Sequence, residues 1–457
     1  MTGASRHRGV TRGPVRSATG VGPLLTGLIV TAVILTFLLS DQLLTQLGVP
    51  YVLRGGGTLA KIHPSTYLAV AAVLLALLLC GDPVRLIADW TRLRPIYVGY
   101  IIVVVIITVY LLGLQGTSGL AFIADTLLRP ALLALLLLLL EFRDRDRLFS
   151  VLIGILALNS AIGILEVATG WRLVPYTLQG LPVIEQHFRA TALMGHPLDN
   201  ALNSAIAMIL VCGHVQRPLL RGALILLFTI GLLSFGGRTA FFAGLGGVVA
   251  VATLTVCHDL AKGRLAPMRA ILLLSALLIG PLVVAGAVAG SDIGQRIVEK
   301  LVWEGSAQAR IEAFRFTSFL SKDELWFGID SARFELLLER LDTVQVVENF
   351  WIILVARFGL IAFIPFSVAL LVFLYRVARE GGLAAKVAVL AFLLIASSNN
   401  SLATKKPALC ILVVLTMTAV THTSRRQVAE RHRPARHANP GRPGGTGVAT
   451  PSDGRVG

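Results

Sequence analysis

YVGYIIVVVIITVYLLGL, from Tyr97 to Leu114, runs for eighteen residues without a charged side chain. An α-helix rises about 1.5 Å per residue, so a run of this length covers most of the roughly 30 Å hydrocarbon core of a bilayer. Its apolar residues do not alternate with polar ones, as they would in a strand of a membrane barrel. The run therefore predicts a transmembrane α-helix.

Similar runs recur along the whole chain. Hydrophobic residues make up 55% of the 457 residues and charged residues only 14%, whereas about 25% of residues are charged in soluble domains. The candidate spans are 24–40, 66–79, 97–114, 122–140, 149–168, 198–213, 219–235, 240–257, 271–289, 350–375, 387–398 and 407–420. The second, sixth, eleventh and twelfth are short or have polar ends. The sequence predicts an all-α polytopic membrane protein of about twelve transmembrane helices.

Basic residues are distributed unevenly between the connections. With the long connection 290–349 left out of the count, fourteen Arg and Lys residues fall in one alternating set, 85–94, 143–147, 217–221, 262–269 and 376–386, and seven fall in the other set. Cytoplasmic connections retain positive charge, so the first set and both basic termini are predicted to be cytoplasmic. The net charge of +16 is thus read as a topology signal, and no nucleic-acid partner is expected.

The chain divides into three parts by composition. Residues 1–21 form a basic N-terminus, residues 22–421 a transmembrane helical domain, and residues 422–457 a basic tail rich in Pro and Gly. The tail has little to bury and is expected to be disordered; its charge would contact anionic lipid headgroups or anchor the topology. Two long connections, 170–197 and 290–349, fall on the outer face. Function is therefore expected on that face.

The second long connection carries a helical pattern. In SARFELLLERL, from Ser331 to Leu341, apolar residues recur at the i, i+3, i+4, i+7 spacing of an amphipathic helix, which can lie on a membrane surface. The preceding WFGID contains Gly328 for a tight turn, and Asp330 or Ser331 for the helix N-cap. A loop that merely covers the outer face remains an alternative.

Arginine is the repeated cation of the outer face. Arg189 lies in FRATALMGHPLDN, Arg238 in SFGGRTAFF and Arg310 in SAQARIEAF. A guanidinium is always charged and can bind two oxygens of a phosphate at once. These three arginines predict an anionic ligand. Arg238 follows two glycines in a very short connection, although a snorkelling residue at a helix end would also fit there.

Four outer-face residues are candidates for proton transfer: His196, Asp199, Asp330 and Glu348. Glu348 lies at the start of a span, where the pKa of a carboxylate tends to rise, as suits a general base. His196 has the more suitable intrinsic pKa. The choice between His196 and Glu348 stays open, and Glu348 could equally cap the following helix.

Charged residues within the spans are few. Asp125 and Arg129 are four residues apart on one helix face, so we expect a structural ion pair that faces the bundle. His63, His214 and His258 are expected to be bystanders at the membrane interface. The four cysteines are scattered among apolar runs, which indicates neither a disulfide framework nor a metal site.

The order of these motifs resembles the O-antigen ligase and Wzy-type polysaccharide polymerase superfamily. The exopolysaccharide polymerases of the VpsF and ExoQ kind look most similar. The resemblance covers about residues 189–360 and rests on R-x-x-x-x-x-GHP (Arg189 to Pro197), SFGGR (Ser234 to Arg238), SAQARIEAF (Ser306 to Phe314), WFGID (Trp326 to Asp330), ENFW (Glu348 to Trp351) and RFGL (Arg357 to Leu360).

This resemblance implies a glycosyltransferase with a GT-C-like fold in a bacterial inner membrane, with a periplasmic site and without a metal or cofactor. Its donor would be a glycan on undecaprenyl pyrophosphate and its acceptor a second glycan, with membrane lipids and polysaccharide assembly and export proteins as further partners. Arg189, Arg238 and Arg310 would bind the pyrophosphate, and Glu348 or His196 would deprotonate the acceptor. The ligases have a histidine where this chain has Glu348, which favours polymerisation over ligation.

Two other classes of protein share the broad features. A flippase for lipid-linked oligosaccharides, or another transporter, would also have about twelve spans, but it should show broken helices and ionisable residues near the bilayer midplane. A scaffold without catalytic activity could recruit synthesis enzymes through the basic tail. In a scaffold the outer arginines would be dispensable.

Overall fold

The computed structural model describes residues 22–51, 57–178, 181–182, 188–272, 275, 313–340, 347 and 349–419. Within these residues the fold is helical, apart from a two-residue antiparallel ladder between β1 (Thr177–Leu178) and β2 (Leu181–Pro182). The prediction of a helical membrane protein is therefore confirmed at this level. The predicted basic N-terminus 1–21 and the tail 422–457 lie outside the described residues.

The helices have the following bounds. The first ten are α1 Pro23–Leu38, α2 Asp41–Gln46, α3 Pro64–Leu79, α4 Pro83–Leu93, α5 Pro95–Gln115, α6 Leu120–Leu137, α7 Phe142–Thr169, α8 Pro197–His214, α9 Pro218–Phe235 and α10 Arg238–Ala261. Five follow in the C-terminal part: α11 Lys322–Phe327, α12 Ser331–Glu339, α13 Phe350–Glu380, α14 Gly382–Ala396 and α15 Ala408–Thr418.

Six of the described helices are long and apolar enough to cross a membrane: α5, α6, α7, α9, α10 and α13. The pair α3 and α4 also passes as one unit, although it is bent by 115°. Each predicted span except 271–289, which lies largely outside the described residues, overlaps a helix. Several of these helices are short, so a total of about twelve transmembrane helices stays a prediction.

Helix α5 shows why these helices suit a bilayer. Its buried residues, Tyr97, Tyr100, Val104, Ile107 and Leu111, recur every three or four positions and form one packed face. Tyr100 stacks on Phe373 of α13 with 4.5 Å between ring centroids. The opposite face exposes Ile102, Val105, Ile106 and Val109. A helix that is apolar on both faces fits contact with protein on one side and lipid on the other.

Helices α8 and α15 form the centre of the bundle. Helix α8 packs against α7, α9, α10, α14 and α15, and most of its residues are buried. All eleven residues of α15 are buried. Since α8 has no lipid-facing side, it tolerates Asn200, Asn203 and Ser204 on inner faces where their polar atoms meet other protein groups. This explains why its predicted span was polar at one end.

The two ends of the bundle carry different charges. Arg94 Nη1 and Arg376 Nη2 lie 3.0 and 2.9 Å from Glu380 Oε1 at one end, called here the basic end. Asp41 and Asp199 lie at the other, called the polar end, where the connections predicted to be on the outer face come together. These contacts agree with the predicted grouping for the connections that they join. Which end faces the cytoplasm stays a prediction.

A break in α13 receives the WFGID turn. Gly359 has a φ of 69° and a ψ of 161°, which interrupts the helix. Gly328 lies directly against it, and a Cβ on Gly359 would be 2.3 Å from the Trp326 carbonyl oxygen. The Ile329 amide donates to the Ala356 carbonyl over 2.8 Å, which satisfies an acceptor freed by the break. The tight turn predicted at Gly328 is confirmed, and its role is to lock the long connection onto a span.

The helix predicted in SARFELLLERL is also confirmed, as α12. Asp330 is its N-cap, with Oδ1 accepting from the Arg333 amide over 2.7 Å. Phe334 and Leu337 are buried, and Phe334 packs on Phe316. The apolar face of α12 is therefore directed at the protein core, at least through these two residues, and the expected location on the membrane surface is not needed to explain it.

Candidate functional site

The stretch 188–196, at the polar end, is held as an ordered strap between α7 and α8. The buried carboxylate of Glu166 accepts from the amides of Leu173, Thr191 and Ala192 over 2.8, 2.7 and 3.0 Å. Ala192 has a φ of 41°, a backbone conformation that a residue with a side chain rarely adopts. The carboxylate thus gathers donors that would otherwise be buried without acceptors.

Two asparagines complete the attachment of the strap. Asn159 of α7 accepts from the Leu193 amide over 3.0 Å and donates to Asn200 Oδ1 over 3.0 Å. Asn200 of α8 donates to the Thr191 carbonyl over 2.6 Å. These bonds fix the strap to two helices at once. The polar residues of the predicted span 198–213 therefore serve to position the segment that precedes it.

The strap brings Arg189 next to the turn that precedes Arg238. The Ala190 amide donates to the Ser234 carbonyl over 3.2 Å, and a Cβ on Gly236 would lie 3.1 Å from Cδ of Arg189. Arg238 begins α10 two residues after Gly236, and both arginines are partly buried. Two arginines that are 49 positions apart in the sequence thus share one corner of the polar end.

A further arginine supports this corner. Arg172 donates from Nη2 to the Arg189 carbonyl over 3.1 Å, and its guanidinium carbon lies 4.4 Å from the centroid of the Phe188 ring. Arg172 lies in the predicted outer connection 170–197 and is not among the predicted site residues. Its position explains how the start of the strap is oriented.

Arg310 and Glu348, two of the five predicted site residues, lie outside the described residues. The residue after Glu348 is described. Asn349 is the N-cap of α13, and its Oδ1 accepts from the Trp351 and Ile352 amides over 3.0 and 3.3 Å. The capping role considered for Glu348 is therefore performed by its neighbour.

His196 belongs to a group of four charged or titratable residues, called here the Asp199 cluster: Asp41, His196, Asp199 and Lys406. Lys406 Nζ lies 2.5 Å from Asp199 Oδ2 and 3.7 Å from Asp41 Oδ2. His196 Nδ1 lies 3.6 Å from the same Asp199 Oδ2 and has no hydrogen-bond partner within the described part of the chain. One carboxylate oxygen therefore faces both an ammonium and an imidazole.

Burial and charge shift the titration of this cluster. Burial and then the charge of Lys406 lower the pKa of His196 to about 3, although Asp199 acts in the opposite direction. Burial lowers the pKa of Lys406, but the two carboxylates outweigh it and raise the pKa overall. Burial also raises the pKa of Asp41, against the effect of Lys406. At neutral pH the imidazole is neutral and Lys406 is charged.

A second buried carboxylate organises what we call the Asp125 cluster: Tyr51, His63, Ser65, Thr66, Asp125 and Arg129. Asp125 lies in a π-helical segment of α6, Ile123–Leu128. Its oxygens accept from Tyr51 Oη over 2.8 Å, from Thr66 Oγ1 over 2.6 Å and from the His63 amide over 3.1 and 3.0 Å. The acceptor sites of this carboxylate are thus filled by protein donors.

The expected ion pair between Asp125 and Arg129 is wrong. Arg129 is buried and donates from Nη1 to Ser65 Oγ over 2.7 Å, and among the described contacts no ion pair joins it to Asp125. The carboxylate is held instead by donors from the segment before α3 and from its first turn. Spacing on one helix predicted a shared face, but it could not show that a neighbouring segment supplies closer partners.

His63 is not the interfacial bystander that the sequence indicated. It is buried, with Nδ1 accepting from the Ser65 amide over 3.1 Å and Nε2 2.9 Å from the Leu39 carbonyl. Because Nδ1 is an acceptor, the proton is assigned to Nε2, which donates to Leu39. Burial, with the charge of Arg129, lowers the pKa of His63 to about 3.

The dipeptide Lys405-Lys406 joins the two clusters. Lys405 Nζ donates to the Tyr51 carbonyl and lies 4.3 Å from the centroid of the Tyr51 ring. Lys406 is directed to Asp199 and Asp41. The sequence offered one signal for these residues: two adjacent lysines on the side that the charge pattern predicts to be poor in positive charge. Asp41 had no signal, since its role depends on contacts with residues more than 150 positions away.

No family model matches the chain, and no curated protein matches it.

Proposed function

We propose that this protein transfers a glycan from undecaprenyl pyrophosphate to a hydroxyl of an acceptor sugar. The protein would lie in a bacterial inner membrane, and the reaction would take place at its polar end, in the periplasm. The observation that carries the proposal is the corner where Arg189 packs against the turn before Arg238. Guanidinium groups bind phosphate oxygens in pairs. A diphosphate headgroup carries the negative charge that two such groups would bind.

The chemistry needs a proton acceptor and charge stabilisation. The acceptor hydroxyl loses its proton to a base, and its oxygen attacks the anomeric carbon of the donor with inversion while the bond to the pyrophosphate breaks. The leaving group departs with the electron pair, and arginines stabilise its charge. His196 of the Asp199 cluster is a base close enough to this corner for the charge of Arg189 to lower its pKa. Glu348 remains the other candidate.

The direct test is reconstitution of the purified protein in liposomes with lipid-linked repeat units. A ladder of longer glycans is expected on a gel. Arg189→Ala and Arg238→Ala should each lower the rate about 100- to 1,000-fold, as loss of a donor to a developing anion does. Arg310→Ala tests the third predicted arginine. Arg92→Ala, exposed on α4 at the basic end, is the matched control and should retain full activity.

If all three outer variants fold and still build the ladder at the control rate, the pyrophosphate role is excluded. That result would retain the transferase but assign the pyrophosphate to other residues. The absence of a ladder from the wild-type protein itself would favour the scaffold.

A transporter of lipid-linked glycans is the second candidate, and two observations favour it. Helix α13 is broken at Gly359, and discontinuous spans are typical of transporter binding sites. The buried Asp125 and Arg129 add ionisable groups inside the bundle. A vesicle assay separates the two functions: reorientation of the lipid carrier without formation of a glycosidic bond would support the transporter and contradict the transferase.

A further inference from the structure

Two cationic or potentially cationic groups face a single oxygen of Asp199. Lys406 Nζ is 2.5 Å from Oδ2 and His196 Nδ1 is 3.6 Å from it. The second oxygen, Oδ1, accepts from Ser401 Oγ over 3.2 Å, which fixes the plane of the carboxylate. An oxygen that forms a close ion pair with an ammonium is a weaker acceptor for a nearby imidazole. The long His196 distance is therefore what competition with Lys406 would produce.

Histidine and aspartate in this arrangement are the parts of a general base. A carboxylate that accepts from Nδ1–H leaves Nε2 free to take a proton, and it stabilises the imidazolium that forms. Here the imidazole is about one-fifth exposed, so it can be reached from outside the cluster. The pairing with Asp199, however, is not made while Lys406 occupies Oδ2.

We infer that Lys406 is a displaceable counter-ion: an incoming diphosphate draws its ammonium away from Asp199, which then accepts from His196 Nδ1–H and makes Nε2 the proton acceptor. The identity of the anion rests on the proposed function. Asp41, 3.7 Å from Lys406 Nζ, gives the ammonium a second partner, so that it can move without becoming unpaired. The arrangement would couple binding of the donor to activation of the base.

The proton and charge balance is complete. The acceptor O–H bond breaks, its proton goes to His196 Nε2, and its electron pair forms the new bond to the anomeric carbon. The bond from that carbon to the pyrophosphate oxygen breaks, and the carrier leaves as the pyrophosphate anion, balanced by the basic groups of the corner. Asp199 balances the imidazolium, which then returns its proton to water.

The surroundings of His196 define what else could shift its titration. Arg189 from the strap lowers the pKa of His196, as Lys406 does, and Asp199 raises it. Tyr176 packs edge-on against the imidazole, with 5.6 Å between ring centroids. Asp41 acts on it through Lys406. Among these groups, Lys406 is the one that both contacts Asp199 and has a second partner.

The test measures the pKa of His196 directly and does not depend on glycan transfer. Diethyl pyrocarbonate modifies neutral imidazole, and mass spectrometry of peptides resolves the rate at His196 as a function of pH. We expect wild-type protein to give a low apparent pKa, and inorganic pyrophosphate to raise it by about one to two units, because the influence of Lys406 is withdrawn from Asp199. Lys406→Met should raise the pKa without pyrophosphate, and Lys405→Met is the matched control.

The outcomes are distinct from those of the proposed function. A pKa of His196 that pyrophosphate leaves unchanged in the wild type overturns the inference, even if a glycan ladder forms. A shift of similar size in Lys405→Met overturns it too, since a general loss of positive charge would then be the cause. Because the pyrophosphate titration uses unmodified protein, the inference stays testable if Lys406→Met does not fold. A ladder absent in spite of the shift would contradict only the transferase.

Discussion

The Asp125 and Asp199 clusters contain the same residue types, but they differ in how the hydrogen-bonding sites of the aspartate are occupied. Each has a buried aspartate, a neighbouring histidine and one lysine of the Lys405-Lys406 dipeptide nearby. Around Asp125 both carboxylate oxygens accept from fixed protein donors. Around Asp199 one oxygen is shared between an ammonium and an imidazole whose Nδ1 has no described partner. A carboxylate whose oxygens all accept from fixed donors indicates a structural role. A carboxylate oxygen that faces two competing cationic groups indicates a role in proton transfer.

The histidines differ in the same way. His63 Nδ1 accepts from the Ser65 amide, so protonation at that nitrogen would break the bond that caps α3. His196 is the residue before α8, yet its side chain makes no capping bond. Protonation of His196 at Nδ1 would therefore break no hydrogen bond of the described residues, whereas protonation of His63 would. Burial alone does not separate a structural histidine from a reactive one; the state of each ring nitrogen does.

The largest expected effect is on stability, from replacement of Asp125. Asp125→Ala leaves Tyr51 Oη, Thr66 Oγ1 and the His63 amide buried without their acceptor, and each lost acceptor costs about 1–3 kcal/mol. A total loss of roughly 3–9 kcal/mol is expected, measured as a fall in Tm and in the folded fraction after detergent extraction. Asp199→Ala is the matched comparison.

Asp199→Ala should cost less stability, because Lys406 retains Asp41 as a partner, but it should abolish glycan transfer. If the two variants lose equal stability and Asp199→Ala keeps its activity, the two clusters have the same structural role and the catalytic role of Asp199 is contradicted.

How far the sequence could predict this site depends on the range of the contacts. Runs of apolar residues and basic connections predicted the helices and the grouping of their ends, because both signals are local. The Asp330 cap and the Gly328 turn were also local and are confirmed. Asp125 and Arg129 were misread, since their partners come from a segment about 60 positions earlier. The pairing of Asp41 with Lys406 spans still more of the chain and left no pattern.

Acid should destabilise the protein through His63. Its pKa is lowered from 6.5 to about 3, so the unfolded chain binds the proton more readily and the stability present above pH 6.5 is lost as the pH falls. Between pH 6.5 and 5 the loss from this residue is about 2 kcal/mol. Thermal unfolding at both pH values should show it, and the dependence should weaken in His63→Gln.

His196→Gln is the comparison for this prediction. The pKa of His196 is also lowered to about 3, but its imidazole is partly exposed and no bond to Nδ1 has to break. We expect a smaller change in the pH dependence than in His63→Gln. A larger change would show that His196, and not His63, is the structural histidine.

Removal of the Tyr51 hydroxyl tests how much one hydrogen bond to Asp125 contributes to stability. Tyr51→Phe removes the donor to Asp125 Oδ2 but leaves the His63 amide on the same oxygen. A loss of about 1 kcal/mol is expected, close to the net value of one hydrogen bond, with no effect on glycan transfer. Tyr67→Phe, whose hydroxyl donates to the Leu59 carbonyl at an exposed position, is the control and should change Tm less. A strong loss of activity in Tyr51→Phe would place the Asp125 cluster in the reaction.

The smallest effect on stability, and the sharpest on the Asp199 cluster, should come from Ser401→Ala. The hydroxyl donates to Asp199 Oδ1 over 3.2 Å, so its loss should cost less than about 1 kcal/mol. It would however free the carboxylate to rotate, and the geometry that presents Oδ2 to His196 would be held less well. Because the base would then be misaligned in a fraction of molecules, the rate of transfer should fall several-fold while Tm barely changes. Ser398→Ala, whose hydroxyl donates to the Ile395 carbonyl near the end of α14, should leave both unchanged. A Tm loss in Ser401→Ala without a change in rate would assign Asp199 the structural role that Asp125 has.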